Sequence, residues 1–186
     1  MTPIIVIDAG HGGTDPGAIG NNLKEKDITL QIALYQYNLC VKYGIPAVLT
    51  RKKDVTFKLE ERAEFVKNSG AKYCISNHIN SATDKSARGE EVIYSINSNG
   101  IWATDTLDDL ARTGMTKRKA YTRTYPGNPK LDYYAMNRET GSVQTITVEY
   151  GFISNAADAA AIKNNWKQFA EIALNSFIRY SRVKIK

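Results

Sequence analysis

Short runs of branched apolar residues alternate along this chain with longer stretches whose apolar residues recur at helical spacing, and this alternation restricts the fold more than any other feature. "IIVID" (4–8), bounded by Pro3 and Gly10, suits a strand buried on both faces. From about Glu25 to Tyr43, one apolar row holds Ile28, Ile32, Tyr35 and Leu39 and a second holds Leu30, Leu34, Tyr37 and Val41. This predicts a broadly covered helix that ends at Gly44. "PAVLTR" (46–51) predicts a strand, 57–68 a helix closed by Gly70 with Leu59, Ala63 and Val66 on one side, and "KYCISNH" (72–78) a third strand. A strand at "EEVIYSI" (90–96) and a helix near 102–113 follow, then a long loop region with Pro126, Gly127 and Pro129. "QTITVEY" (144–150) is rich in β-branched residues and reads as a strand. Asn155 is placed to cap a short helix, and Trp166, Phe169, Ala173, Phe177 and Tyr180 mark a closing one. The expected fold is α/β, a single domain with a mostly parallel twisted sheet and helices on both faces. In such sheets, ligands collect at the carboxyl ends of strands.

A length of 186 residues at 42% hydrophobic content supports one core and one domain, 1–180, with 181–186 as a tail that could begin a linker. Lys and Arg number 25 against 19 Asp and Glu, a net charge of +6 that favours anionic surroundings, whether nucleic acid, acidic lipid or an anionic polymer such as those of a bacterial wall. No basic run reaches five residues and no nucleic-acid motif is present, so nucleic acid is not an expected partner. No apolar run approaches a membrane span, and the start, "MTPIIVID", has no basic segment ahead of a long apolar one. The expectation is a monomer without a membrane partner, made in the cytoplasm without a signal peptide. Cys40 and Cys74 lie in apolar stretches without metal-type spacing and read as buried thiols.

The chain has only two histidines, and both fall at strand ends on one rim: His11 just beyond the first strand and His78 at the end of the third. A catalytic zinc site needs three protein ligands and an open position for water, and two histidines with one carboxylate is an established set. Glu25 and Asp27, both at the start of the long helix, satisfy the spacing equally. A helix-dipole role would account for either acid without a metal. Glu149 ends an otherwise apolar strand, where an unpaired carboxylate is costly unless it faces a polar cleft, a metal or a basic partner. It is the candidate base. The glycines of "GHGGTDPG" could instead cradle phosphate. They fit neither standard phosphate-loop pattern, however, and the next helix starts too far downstream.

"VIDAGHGGTDPGAIG", "LKEKD", "LTRKKD", "LEERAEF", "ISNHIN", "GEEVIY" and "VEYGFISN", in this order, resemble the zinc-dependent N-acetylmuramoyl-L-alanine amidases of the amidase-3 type, from about residue 4 to residue 178. The resemblance implies a phosphorylase/hydrolase-like fold, Zn2+ held by His11, Glu25 and His78, and Glu149 as the catalytic glutamate. It also implies peptidoglycan as the substrate, cut at the amide between N-acetylmuramic acid and L-alanine. Asn80 matches the family's usual asparagine and is a substrate-binding candidate. Arg51 belongs to a recurrent Thr-Arg pair for which structural and substrate roles are both open. The stretch between Glu91 and Glu149 is too short for the long autoinhibitory helix of some members, so an open site is expected. The Tyr-rich piece "YTRTYPGNPKLDYY" is a candidate groove lining, with surface packing the more ordinary use. A site of action at the bacterial wall without a signal peptide would fit a phage lysin or a mother-cell lytic enzyme. The competing readings are a zinc peptidase acting within the stem peptide and a non-catalytic wall-binding module.

Overall fold

In the computed structural model, which describes residues 2–186, the chain forms β1 (Ile5–Ala9), β2 (Ile19–Gly20), β3 (Leu23–Lys24), α1 (Glu25–Lys42), β4 (Ala47–Leu49), α2 (Leu59–Asn68), β5 (Tyr73–Asn80), β6 (Glu90–Tyr94), α3 (Ile101–Ala111), β7 (Lys117–Tyr121), β8 (Thr124–Tyr125), β9 (Asn128–Asp132), α4 (Ala135–Arg138), β10 (Gln144–Phe152) and α5 (Ala156–Ser181). One sheet of six strands runs β4-β1-β5-β10-β6-β7. β4, β1, β5 and β10 are mutually parallel, whereas β6 is antiparallel to β10 and β7 parallel to β6. The start of β6 therefore lies beside the carboxyl end of β10, which brings Glu91 opposite Glu149.

Side-chain alternation divides the sheet into unequal faces. Ile5, Ile7, Ile75, Ile146, Val148 and Tyr150 point into the larger core, closed by Ile32, Trp102, Phe169 and Phe177 from α1, α3 and α5. Val6 and Cys74 point the other way into a small cluster with Ala63, Val66, Met136 and Val143. The short α2 and α4 pack on that face through Ala63, Val66 and Met136. Cys40 and Cys74 are buried and free. Among the described residues no helix is long and apolar enough to cross a membrane.

Two stretches of the chain differ from the sequence reading. Asn155 caps not a short helix but the whole of α5, accepting from the amides of Ala157 and Asp158, and the helix continues unbroken through Lys163–Asn165. Those polar residues face water on a helix whose opposite side is buried, so they interrupt composition without interrupting structure. The region expected to be loop also holds an edge strand, β7, a small β8–β9 hairpin and α4. "KRKAY" hides its strand because an edge strand exposed to water carries charge where an inner one carries apolar residues.

Candidate metal centre

The chain leaves β1 through Gly10 and enters His11 with a left-handed backbone, φ 61°, which is uncommon for a residue with a side chain. Two buried arginines hold that turn. Arg51 donates through Nε to the Ala9 carbonyl at 3.1 Å and through Nη2 to the Gly10 carbonyl at 3.0 Å, and Arg62 donates to the His11 carbonyl at 2.8 Å. Arg62 also pairs with the fully buried Asp8 at 2.6 Å. Burial alone would raise the Asp8 carboxyl, but the Arg62 charge and the Ser76 hydroxyl outweigh it and hold it below the ordinary range. Of the two roles open for Arg51, its geometry favours the structural one: the residue is 3% exposed and its guanidinium is engaged with backbone carbonyls, so it shapes the loop.

His78, on β5, and Glu25, the first residue of α1, complete the cluster. The Glu25 Oε1 atom lies 3.1 Å from His11 Nε2 and 2.9 Å from His78 Nδ1, and it also accepts from the Ile79 amide at 2.9 Å. Oε2 accepts from the Ala18 amide at 2.8 Å. Burial opposes ionisation of Glu25, yet hydrogen bonds from both imidazoles hold its carboxyl far below the usual range. His11 is driven the other way, up to about 9: burial lowers it, and Glu25 with Asp15 more than reverses that. Asp27 falls on the exposed side of α1, because two residues turn a helix by about 200°. The choice between the two acids is thus made by which side of the helix faces the sheet.

His11, Glu25 and His78 each offer a ligand atom within 4.8 Å of the others, and this group could hold a metal ion. The donor chemistry suits zinc, with two imidazoles and one carboxylate. Asp15 takes His11 Nδ1 at 2.8 Å, which fixes the ring and leaves Nε2 for a cation, as carboxylate partners of metal-binding histidines do. The glycines answer to space as well as to turn geometry. A Cβ on Gly10 would stand 2.4 Å from the His78 ring, and one on Gly17 would stand 2.6 Å from both Glu25 and the His11 ring. Gly10 and Gly17 therefore leave the room that the two histidines and the carboxylate need, while Gly12 and Gly13 admit the chain at Val55 and Thr56.

Glu149 sits one strand from His78 as its register partner, on the same face. Oε2 has no hydrogen-bond partner, and no Lys or Arg pairs with it among the described residues. Burial pushes the carboxyl up to about 7, with Glu25 and Glu91 adding to the effect and His78 opposing it. His11, His78 and Glu149 open onto a cavity of about 290 Å³ walled by Phe57, Leu59, Tyr134 and Met136. Of the Tyr-rich piece, Tyr134 reaches this wall, while Tyr125 and Tyr133 are exposed on the hairpin side. Asn80 lies two residues beyond His78 and donates to Glu91 at 3.0 Å.

Sequence reasoning missed Asp15, Asp8, Arg62 and Glu91. The signal for Asp8 was present: a charge inside "IIVID" must find a buried partner. The i,i+4 spacing of Asp15 from His11 in a glycine-rich loop was a weaker one.

The chain matches the Amidase_3 family model, described as N-acetylmuramoyl-L-alanine amidase, over residues 5–177. It is 32% identical over 164 residues to the N-acetylmuramoyl-L-alanine amidase CwlM of Bacillus licheniformis, covering 87% of this chain and 61% of that protein. It is 30% identical over 167 residues to the endolysin of Bacillus phage SPP1, covering 89% of this chain and 60% of that protein. The chain thus spans about three fifths of the length of both relatives. In three dimensions it resembles the catalytic domain of CwlV, an N-acetylmuramoyl-L-alanine amidase from Bacillus (Paenibacillus) polymyxa var. colistinus, with a TM-score of 0.86 at 27% identity, covering 98% of this chain and 99% of that one.

Proposed function

Since the chain belongs to the Amidase_3 family of N-acetylmuramoyl-L-alanine amidases, we propose that it hydrolyses the amide joining the lactyl group of N-acetylmuramic acid to L-alanine in peptidoglycan, with Zn2+ held by His11, Glu25 and His78. The observation that carries this reading is the convergence of those three side chains at the strand ends, one strand from an unpaired Glu149. A bound zinc ion supplies Lewis acidity, polarising the scissile carbonyl and bringing the pKa of water towards roughly 7.

The remaining work falls to the protein. Glu149 takes the proton of the attacking water and returns it to the departing L-alanine nitrogen, so a carboxyl poised near 7 serves as base and then as acid. Asp15 keeps the His11 ring in one orientation. The apolar wall of Phe57, Leu59 and Met136 limits water around the reacting bond. Asn80 belongs to the substrate side of the cleft, beyond His78. The site of action is the bacterial wall, as the name of the phage endolysin relative suggests, and the net charge of +6 draws the protein to anionic wall polymers.

Mass analysis of peptidoglycan digested by the zinc-loaded protein tests the reading. Free glycan with intact stem peptides is the expected product. Shortened stems would replace the amidase with a peptidase, and no release would remove the enzyme reading.

A further inference from the structure

Next to Glu149 the sheet carries a second carboxylate that the reaction above leaves unused. Glu91 is the cross-strand partner of Glu149 and is 4% exposed. Both of its oxygens are occupied: Asn80 Nδ2 donates to Oε2 at 3.0 Å and Arg118 Nε donates to Oε1 at 2.7 Å. Arg118 owes this position to an irregularity in the ladder. Glu90 pairs with Lys117 and Glu91 with Lys119, so Arg118 is the extra residue on β7, and such bulges re-aim a side chain.

The guanidinium is held from several sides. It lies over the Phe152 ring, 5.0 Å from the centroid, and Nη1 makes a long 3.4 Å contact to the Arg88 carbonyl. Nη2 has no acceptor among the described residues, and the side chain is 37% exposed. A buried carboxylate therefore grips the inner nitrogen while the outer edge remains accessible. A planar fork oriented in this way, with donors unspent, suits a carboxylate ligand.

Arg118 and Glu91 lie outside the lining of the cavity at His11, His78 and Glu149, and strand spacing sets how far from it the guanidinium stands. Adjacent strands lie about 4.8 Å apart, so a side chain rooted on β7 that folds back to β6 ends about one strand spacing from the Glu149 column. One extended residue spans about 3.5 Å, which puts the second residue of a stem peptide about 4–7 Å from the scissile nitrogen. That residue is acidic, and its α-carboxyl group is the first group along the stem able to carry negative charge. Building on the amidase reading, we propose that Arg118, positioned by Glu91, binds the α-carboxylate of the second stem residue and makes the enzyme prefer stems in which this group is free over stems in which it is amidated.

The test uses the zinc-loaded protein and two soluble disaccharide peptides that differ only in this group, D-isoglutamate against D-isoglutamine. The expected ratio of kcat/KM, free over amidated, is about tenfold or more for the parent, the scale of a charge-assisted hydrogen bond. Arg118→Gln brings the ratio to within about twofold of unity, Arg118→Lys gives an intermediate value, and Glu91→Gln lowers the ratio because the guanidinium loses its anchor. A parent that cleaves both peptides equally, or an Arg118→Gln variant that keeps the parent ratio, overturns the inference and leaves the amidase reading intact. A parent that releases no stems from either peptide or from whole peptidoglycan overturns both.

Discussion

Replacing Arg62 with methionine should cost about 3–5 kcal/mol of stability. Arg62 is 3% exposed and donates through Nη1 to Asp8, which is fully buried. It also donates to the carbonyls of Ala9, His11 and Phe57. Methionine refills much of the aliphatic volume but leaves the Asp8 carboxylate with two hydroxyl donors, Ser76 at 2.6 Å and Thr50 at 2.7 Å, and no counter-charge in contact. Stripping the partner from a buried charge costs far more than a surface pair is worth, because the remaining ion still lacks water. For a chain of this length each kcal/mol lowers Tm by about 2–4 °C, so melting should fall by about 10 °C. Urea denaturation at neutral pH, followed by circular dichroism, reads the difference. Adding Asp8→Asn removes the stranded charge and should recover a substantial part of the loss. The reasoning fails if Arg62→Met lies within about 1 kcal/mol of the parent, or if the double variant is less stable than the single.

Four further outcomes follow from the same geometry. Glu149→Gln should retain zinc by metal analysis and lose about 10²–10⁴-fold in turnover, whereas His78→Ala should lose most of the metal; parental turnover in the glutamine variant would end the assignment of the base. Asp15→Ala should weaken zinc affinity about 10–100-fold in a competition titration, because the His11 ring loses its orienting acceptor. Burial, with Asp158 adding to it, pushes the Glu90 carboxyl up to about 8 from 4.5, and neither oxygen has a hydrogen-bond partner. The folded state therefore holds this proton more tightly than the unfolded one, so stability from this group is fully present below about 4.5 and is lost as pH rises to about 8. Glu90→Gln should remove that decline, and the stability gap between variant and parent should widen by several kcal/mol between pH 5 and pH 8, a change that matched denaturation curves would expose or refute. Lysis of intact walls should weaken steeply with added salt while cleavage of a small soluble substrate barely changes, since only the first depends on the long-range attraction of the +6 chain.

Sequence pattern was sufficient for the α/β architecture, because helices bury apolar residues at 3.6-residue intervals while inner strands are covered on both faces and read as short apolar or β-branched runs, as at residues 4–8, 72–78 and 144–150. The same rule failed for β7, whose charged residues belong to an edge exposed to water, and for the middle of α5, whose polar residues lie on its outer side. The scarcity of histidine singled out His11 and His78, an acid at the end of an apolar strand singled out Glu149, and the family motifs pointed to Glu25 rather than Asp27. Only tertiary structure decided that Glu25 faces the histidines while Asp27 faces water, since both lie in the first turn of α1 and differ only in rotation about its axis. It also decided that Arg51 is a buried brace and that Arg62 and Asp8 support the His11 turn. Glu91 and Arg118 could meet only through the reversal of β6 and the bulge in β7. A one-dimensional pattern records which residues want burial or charge; which distant side chains share a cavity depends on strand order and register, and no local preference encodes those.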